Sequence, residues 1–220
     1  MATTVEPTRT GPTPAPAVKQ PWHRGRQRYL LAGAVILAVV VLAGWFVLAS
    51  GKRKEQFAAR SLNQARAAAE AGNLPLASSE LQKLIAAYKG TDAASEAVIT
   101  LNQVRMINGQ NELAVVGLRE FLAGKPSPQY VTPATGLLGA ALENSKQWQA
   151  AGKVYTDASN AAEVDYLKAK YLVDAGRAFR EGGKPEEAAT AYRTVVQKYP
   201  NAPSVTEAEV RLAELTDGKM

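Results

Sequence analysis

Few side chains of this 220-residue sequence could act in catalysis or bind a metal ion. Cysteine is absent, and His23 is the single histidine. Nucleophilic catalysis by serine or cysteine commonly uses a histidine base, and ordinary zinc sites are built from cysteine and histidine. Neither standard form of the glycine-rich phosphate loop occurs. The sequence therefore predicts no catalytic, cofactor-binding or metal-binding residue.

Carboxylates are the remaining groups that could work as an acid–base pair. Glu186 and Glu187 are adjacent and directly follow Pro185. Proline suits the first turn of a helix, and carboxylates there interact favourably with the positive end of the helix dipole. The pair is therefore typical of a helix start, and we interpret the chain as a protein that is not an enzyme.

A strict repeat of 37 residues runs through more than half of the chain. Counting from Ala77 in steps of 37 reaches three further alanines, and a large apolar residue follows each alanine four positions later. A fixed period of this length is typical of stacked-repeat solenoids, because one unit cannot bury its apolar face alone. The alanines are Ala77, Ala114, Ala151 and Ala188, and the large residues are Leu81, Leu118, Tyr155 and Tyr192.

Each unit of the repeat is predicted to form two antiparallel helices. In the fourth unit the first helix covers about residues 166–181 and ends at Gly182-Gly183, because glycine favours helix C-termini. The second helix begins near Pro185 and ends at Tyr199-Pro200. A further first helix around Leu212 has no partner helix and is predicted to cap the array. The expected fold is all-α, with about four helix pairs and a C-terminal capping helix in residues 51–220.

The N-terminal part has a different composition. Residues 1–28 are basic and rich in proline, which favours a disordered tail. Residues 30–49 carry no charged side chain. A helix of this length spans about 30 Å, which is the thickness of the hydrocarbon core of a bilayer. We therefore expect a single transmembrane helix at residues 29–50.

Cleavage and orientation leave alternatives at this segment. Val47-Leu48-Ala49 loosely resembles a signal-peptidase site, but the apolar stretch is longer than the core of a usual signal peptide. Basic residues flank both ends almost equally, so the positive-inside rule does not fix the orientation. A short tail inside and a large domain outside is the simpler arrangement. It predicts a single-pass protein of the inner (plasma) membrane with a periplasmic C-terminal domain.

The positive charge is concentrated near the N-terminus. The formal net charge of the chain is +6, and residues 1–28 contribute +4 of it. No basic motif interleaved with aromatic residues occurs in the repeat region. The sequence therefore does not indicate a nucleic-acid partner.

The repeat resembles the tetratricopeptide pattern. Residues Leu172, Ala175-Gly176, Phe179, Ala188, Tyr192 and Pro200 match its order of large, small, aromatic, alanine, aromatic and proline positions. The period here is 37 residues rather than the usual 34. The resemblance implies a right-handed α-solenoid that binds proteins or peptides along a concave face formed by the first helices.

The whole arrangement also resembles the YfgM-type tetratricopeptide proteins that assist the Sec translocon. Gly44-Trp45 near the end of the apolar stretch and the alanine-rich helix after Arg60 fit that plan. The resemblance implies a scaffold for envelope proteins, with Sec subunits, exported clients or periplasmic chaperones as partners. Residues 198–203 instead resemble repeat ends of cell-division and outer-membrane assembly proteins. A self-associating structural protein is a third interpretation.

Family geometry also implies which residues face a partner. They lie one and four positions after the small residue of each first helix, or near those positions. The lysine and asparagine clamp of chaperone-tail-binding domains is not found at the corresponding positions, which disfavours a cytosolic chaperone adaptor. For Met106 a role in the core is an equally good interpretation. The predicted partner-binding residues are Arg66, Gln103, Met106, Glu143, Lys170, Arg177 and Arg180.

Overall fold

The structure is a computed structural model that describes residue 11 and residues 23–216. Within this described part the chain forms nine α-helices and no strand, which confirms the predicted all-α fold. The helices are α1 His23–Glu70, α2 Leu74–Ala87, α3 Asp92–Ile107, α4 Asn111–Ala123, α5 Pro128–Asn144, α6 Trp148–Ala161, α7 Asp165–Glu181, α8 Pro185–Lys198 and α9 Val205–Leu215.

The chain divides into two compact units, Met1–Ser50 and Gly51–Met220. In the first unit, most of the predicted tail lies outside the described residues. Residues 23–28, which the sequence placed in that tail, belong to helix α1.

In the first unit, the side chains of residues 29–46 are almost all apolar and all exposed. Leu37 and Trp45 are each 65% exposed, and an 18-residue window of the helix has a mean hydropathy of 2.7 with no part of it buried. By length and composition, α1 contains a segment able to cross a membrane. Within that segment, the boundaries 29–50 stay a prediction.

The second unit is a solenoid of helix pairs like those of tetratricopeptide repeats (TPR). We call the residues of α1 from 51 onward, α3, α5, α7 and α9 the first helices, and α2, α4, α6 and α8 the second helices. Each helix from α2 to α8 packs against its successor along the chain, and Ala58 and Leu62 of α1 lie in one apolar cluster with Leu81 of α2. The bounds of α7 and α8 confirm the helices predicted for the fourth unit.

The core confirms the repeat register. All four repeat alanines, Ala77, Ala114, Ala151 and Ala188, are 0% exposed, and the large residue that follows each one is at most 3% exposed. In the third and fourth units this large residue is a tyrosine whose ring covers a glycine of the first helix. A Cβ on Gly139 would lie 2.5 Å from Tyr155, and one on Gly176 would lie 2.6 Å from Tyr192. The glycines are needed because the two helices cross closely at these points.

The turn inside each helix pair has one repeated geometry. Residues Gly72, Gly109, Lys146 and Gly183 all have positive φ, at 79°, 73°, 57° and 71°. In the fourth unit the Lys184 amide donates to the Phe179 carbonyl at 2.8 Å, and the Gly183 amide donates to the Arg180 carbonyl at 3.0 Å. These two bonds define the Schellman motif that ends a helix at a left-handed residue. The other three turns have the same pair of bonds.

Candidate partner-binding face

Neighbouring first helices share a surface that carries most of the predicted partner-binding residues. Arg66 of α1 lies 2.6 Å from Glu96 of α3, and Arg177 of α7 lies 3.0 Å from Glu143 of α5. Arg180 of α7 lies 3.2 Å from Glu214 of α9. We call this surface, made by the first helices around these pairs, the first-helix face.

Glu143 is the centre of a hydrogen-bonded network on this face. Its side chain is only 13% exposed. Arg177 donates from Nε to Oε1 at 3.2 Å and from Nη2 to Oε2 at 3.0 Å, a two-point contact that suits the planar guanidinium. The Tyr155 hydroxyl donates to Oε2 at 2.7 Å. One carboxylate therefore holds α5, α6 and α7 together.

The network also favours the protonated forms of its donors. The hydrogen bond to Glu143 raises the pKa of Arg177, and burial followed by the hydrogen bond to Glu143 raises the pKa of Tyr155. Arg177 and Tyr155 therefore lose their protons less readily than an ordinary arginine and an ordinary tyrosine.

Asp174 extends the network along α7. Its side chain is 12% exposed and pairs with Lys170 Nζ at 2.7 Å and with Arg177 Nη1 at 3.0 Å. Lys170 also lies over the ring of Tyr171, 5.5 Å from the ring centre. The structure therefore brings Glu143, Lys170 and Arg177 into one cluster in which each charge already has an opposite partner.

Two further predicted arginines have partners as well. Arg66 is bonded to Glu96 and also approaches the Thr100 hydroxyl at 3.5 Å. Arg180 contacts both Glu214 and Glu181 at 3.2 Å. A partner protein that used these guanidinium groups would have to compete with the internal carboxylates.

Gln103 and Met106 of α3 carry no charge and behave differently. The Gln103 side chain is exposed and has no hydrogen-bond partner within the part of the chain that the structure describes. Met106 is half-buried and packs against the core of the central units, which is the core role that the sequence left open for it.

Sequence reasoning missed Ile107 at the end of α3. Its side chain is 71% exposed. The residues one period before and one and two periods after it are Glu70, Asn144 and Glu181, which are polar. Comparing these repeat positions would have identified an isoleucine where the other units have a polar residue. Ile107 and Gln103 make the end of α3 the uncharged part of the first-helix face.

A cleft of about 550 Å³ lies away from the predicted residues, between α2, α3 and α4. Its wall includes the apolar side chains of Ile85, Val98 and Phe121, and Arg105 also lines it. Arg105 donates to the Asn102 side chain at 3.0 Å. Asn102 lies one period before Gly139 and two periods before Gly176, at a position where those units have glycine. It is 1% exposed, and its side-chain amide donates to the Val98 carbonyl at 2.8 Å, so this buried polar group has a hydrogen-bond partner.

Within residue 11 and residues 23–216, no three His, Asp or Glu side chains come together in an arrangement that could hold a metal ion. The side chains of the first-helix face are salt-bridged carboxylates and cations, an exposed amide and apolar groups. Such groups bind other proteins through hydrogen bonds, ion pairs and apolar contacts.

Comparison with known proteins agrees with this architecture. Residues 171–202 match the tetratricopeptide repeat family. No curated protein sequence matches the chain.

Solved structures resemble the chain in fold. A crystal structure of nearly identical TPR-like repeats, from a Podosopora anserina protein described as a kinesin light chain, superimposes with a TM-score of 0.57 at 16% identity. The match covers 72% of this chain and 85% of that one. The MamA RS-1 ArsTM double mutant gives a TM-score of 0.54 at 19% identity and covers 74% of this chain and 96% of its own. The repeat match and these structural neighbours together support a tetratricopeptide-repeat protein.

Proposed function

We propose that this chain is a membrane-anchored scaffold that binds proteins of the cell envelope on its first-helix face. The tetratricopeptide fold itself suggests a protein-binding scaffold. The observation that carries the proposal is the end of α3, where Gln103 and Ile107 are exposed and uncharged, while the charged groups of the same face are already paired. A partner can contact this uncharged part without breaking an ion pair.

The membrane anchor determines where in the cell the scaffold acts. The apolar segment of α1 holds the protein in the inner membrane as a single-pass protein, with residues 51–220 on the periplasmic side. Confinement to the membrane plane raises the effective concentration of the binding face for other membrane-bound proteins. The resemblance to the YfgM-type proteins favours the Sec translocon, its exported clients or periplasmic chaperones as partners.

The proposal also holds that the protein is not an enzyme. Tetratricopeptide proteins generally act as non-enzymatic scaffolds. The charged groups of the first-helix face serve to position helices, and partners are bound without a chemical step. Neither a cofactor nor a nucleic acid is required by this function.

Site-specific crosslinking in living cells tests the proposal. A photoreactive amino acid is placed at Gln103 of the full chain, with Lys153 on the exposed surface of α6 as the matched control position. We expect Sec subunits or unfolded exported proteins to be captured from position 103 and not from position 153.

Other results would contradict parts of the proposal in distinct ways. Capture of cytoplasmic proteins alone would invert the orientation. Capture of cell-division or outer-membrane assembly proteins would replace the Sec assignment, and crosslinks only between copies would indicate a self-associating structural protein. Equal capture from both positions would exclude the first-helix face as the binding surface.

A further inference from the structure

One end of the solenoid, which we call the inter-unit edge, is where each second helix ends and the next first helix begins. It comprises residues 51–57 of α1 and the segments around the turns 88–91, 124–127, 162–164 and 199–204. Side chains join neighbouring units along it. The Glu55 carboxylate accepts hydrogen bonds from the Asp92 and Ala93 amides at 2.9 and 2.8 Å, and Gln129 donates to Asp92 at 3.4 Å.

Exposed cations gather on this edge without carboxylate partners. Within the described part of the chain, six lysine and arginine side chains of the edge form no ion pair, whereas Arg66, Lys170, Arg177 and Arg180 of the first-helix face are all paired. The six residues are Lys52, Arg53, Lys54, Lys89, Lys125 and Lys198.

Two acidic groups on the same edge are already bonded within the chain. Glu55 binds the amides that begin α3, and Asp165 pairs with Lys168 at 3.0 Å. Asp92 and Glu207 lie in the first turns of α3 and α9, where the helix dipole stabilises a carboxylate. Glu163 alone among these acids is exposed outside a helix. Among the described residues of the edge, the six unpaired cations outnumber the unpaired carboxylates of Asp92, Glu163 and Glu207, so the edge presents a net positive surface.

The opposite edge, at the turns inside the helix pairs, has a different balance. Five glutamates lie there, and two of its cations, Arg180 and Lys184, are paired with glutamates at 3.2 and 4.0 Å. The glutamates are Glu70, Glu112, Glu181, Glu186 and Glu187. Lys146 is exposed there without an ion pair to any described residue, but the five glutamates outnumber the three cations Lys146, Arg180 and Lys184. A net positive charge is thus a property of the inter-unit edge and not of both ends of the solenoid.

Helix dipoles explain only part of this pattern. Lys89 and Lys198 lie at the ends of α2 and α8, where a cation interacts favourably with the helix C-terminus. Lys52, Arg53 and Lys54 lie inside α1, far from its C-terminus at Glu70, so the dipole gives no reason for three adjacent cations there. These three residues directly follow the apolar segment in sequence.

We propose that the inter-unit edge binds an anionic lipid surface, with the lysine and arginine side chains contacting the phosphates of the lipid headgroups. This inference rests on the proposed membrane anchor, which brings the edge to a bilayer. Each cation close to an anionic surface contributes about fivefold to binding, and the attraction weakens within a Debye length of about 10 Å at 0.1 M salt. The contact is therefore sensitive to salt and to the fraction of anionic lipid.

Energy transfer in reconstituted vesicles tests this contact on the full chain. Because the chain lacks cysteine, Ser127→Cys on the inter-unit edge and Asn108→Cys on the opposite edge each give one site for a donor dye. The acceptor dye is carried on lipid headgroups. Vesicles contain phosphatidylcholine alone or phosphatidylcholine mixed with phosphatidylglycerol. We expect phosphatidylglycerol to increase transfer from position 127, and added salt to remove that increase.

A charge-matched pair of variants identifies the residues responsible. Lys89→Gln, Lys125→Gln and Lys198→Gln together should abolish the lipid-dependent increase. Lys146→Gln, Lys153→Gln and Arg193→Gln together remove the same charge away from the edge and should preserve it. Each triple contains one residue with positive φ, Lys125 at 52° or Lys146 at 57°, so backbone strain is matched.

The outcomes separate this inference from the anchor. Salt-resistant flotation of the chain with vesicles reports the membrane span, whatever the edge does. If flotation is salt-resistant but transfer from position 127 does not depend on phosphatidylglycerol, the edge inference is wrong. An equal loss in both triple variants would also overturn it. If the chain does not float with vesicles at high salt, the anchor is wrong. The edge inference then requires flotation at low salt that occurs with vesicles containing phosphatidylglycerol and not with phosphatidylcholine vesicles. Without such flotation, the edge inference is wrong as well.

Discussion

Glu143 shows how a single residue can connect several repeats. Its carboxylate accepts from Arg177 of α7 and from Tyr155 of α6 while it belongs to α5. A carboxylate that is 13% exposed would be costly without these donors, because burial disfavours its charge. The network therefore stabilises the third and fourth units, and Arg177 is positioned for this role before any partner arrives.

Replacing Tyr155 with phenylalanine tests this network. We expect Tyr155→Phe to lower the free energy of unfolding by about 1.5–3 kcal/mol, since a hydrogen bond to a charged acceptor is lost. Denaturant titration measures the change. Tyr166→Phe, which alters an exposed tyrosine, is the control and should leave the stability unchanged. Equal stability of Tyr155→Phe and the wild type would mean that the Glu143 contact contributes nothing.

Alkaline pH tests the same group in a second way. Burial raises the pKa of folded Tyr155 above its ordinary value of 10.0, so the unfolded chain loses this proton first. The contribution of Tyr155 to the free energy of unfolding is therefore fully present below about pH 10, and it decreases as the pH rises above that value. Tyr171 and Tyr192 are shifted in the same direction by burial. Unfolding free energies measured across this range should fall less steeply in Tyr155→Phe than in the wild type, and identical slopes would contradict the assignment.

At Gly176 the close crossing of α7 and α8 leaves no room for a side chain. A Cβ there would lie 2.6 Å from the Tyr192 ring, and Tyr192 is 1% exposed and cannot move outward freely. Gly176→Leu should therefore destabilise the fourth unit by about 1–3 kcal/mol through overpacking. Ala213→Leu is the matched control, because α9 carries the equivalent position and no second helix follows it among the described residues. Thermal unfolding that changes equally in both variants would refute the register of the repeat.

At the scale of the helix, the turn inside each pair is the most regular feature of the chain. Three of the four left-handed positions are glycine, and Lys146 occupies the fourth with φ of 57°. A side chain at such a position is strained because Cβ approaches the neighbouring carbonyl oxygen. The α5–α6 turn therefore stores a strain that the other three turns avoid.

Lys146→Gly should relieve this strain and stabilise the protein by about 1 kcal/mol. Lys153→Gly, in the middle of α6, should destabilise it by about 0.5–1 kcal/mol, since glycine there loses more backbone freedom on folding. Denaturant midpoints of the two variants should move in opposite directions. A shift in the same direction would show that the Lys146 backbone carries no strain.

Sequence reasoning anticipated the helices much better than the contacts between units. The limits of α7 and α8 could be predicted from residue types alone, because glycine and proline mark helix ends and starts at Gly182-Gly183, Pro185 and Pro200. The pairing of Glu143 with Arg177 depends on how far one unit rotates against the next, which spacing does not reveal. Gln103 and Arg177 were predicted for the same role, yet one side chain is exposed and the other is bonded to two carboxylates. The cleft beside Arg105 was not foreseen, because it arises from the packing of three helices.

At the scale of the whole molecule, an apolar N-terminal segment is joined to a solenoid of the kind that typically binds proteins. The apolar segment has a mean hydropathy of 2.7 over its best window, and the side chains of residues 29–46 are all exposed. The solenoid carries paired charges on the first-helix face and unpaired cations on the inter-unit edge. The proposed anchor would place the binding surface next to a membrane, and the proposed orientation would place it on the outer side.

Labelling of one introduced cysteine tests whether the solenoid lies on the outer side of the inner membrane. The full chain with Gln82→Cys, an exposed position on α2, is expressed in bacterial cells whose outer membrane has been permeabilised. We expect a membrane-impermeant maleimide to label this cysteine before the inner membrane is broken. We also expect the protein to stay in the membrane fraction after alkaline carbonate extraction. Release by carbonate, or labelling only after lysis of the inner membrane, would contradict these expectations.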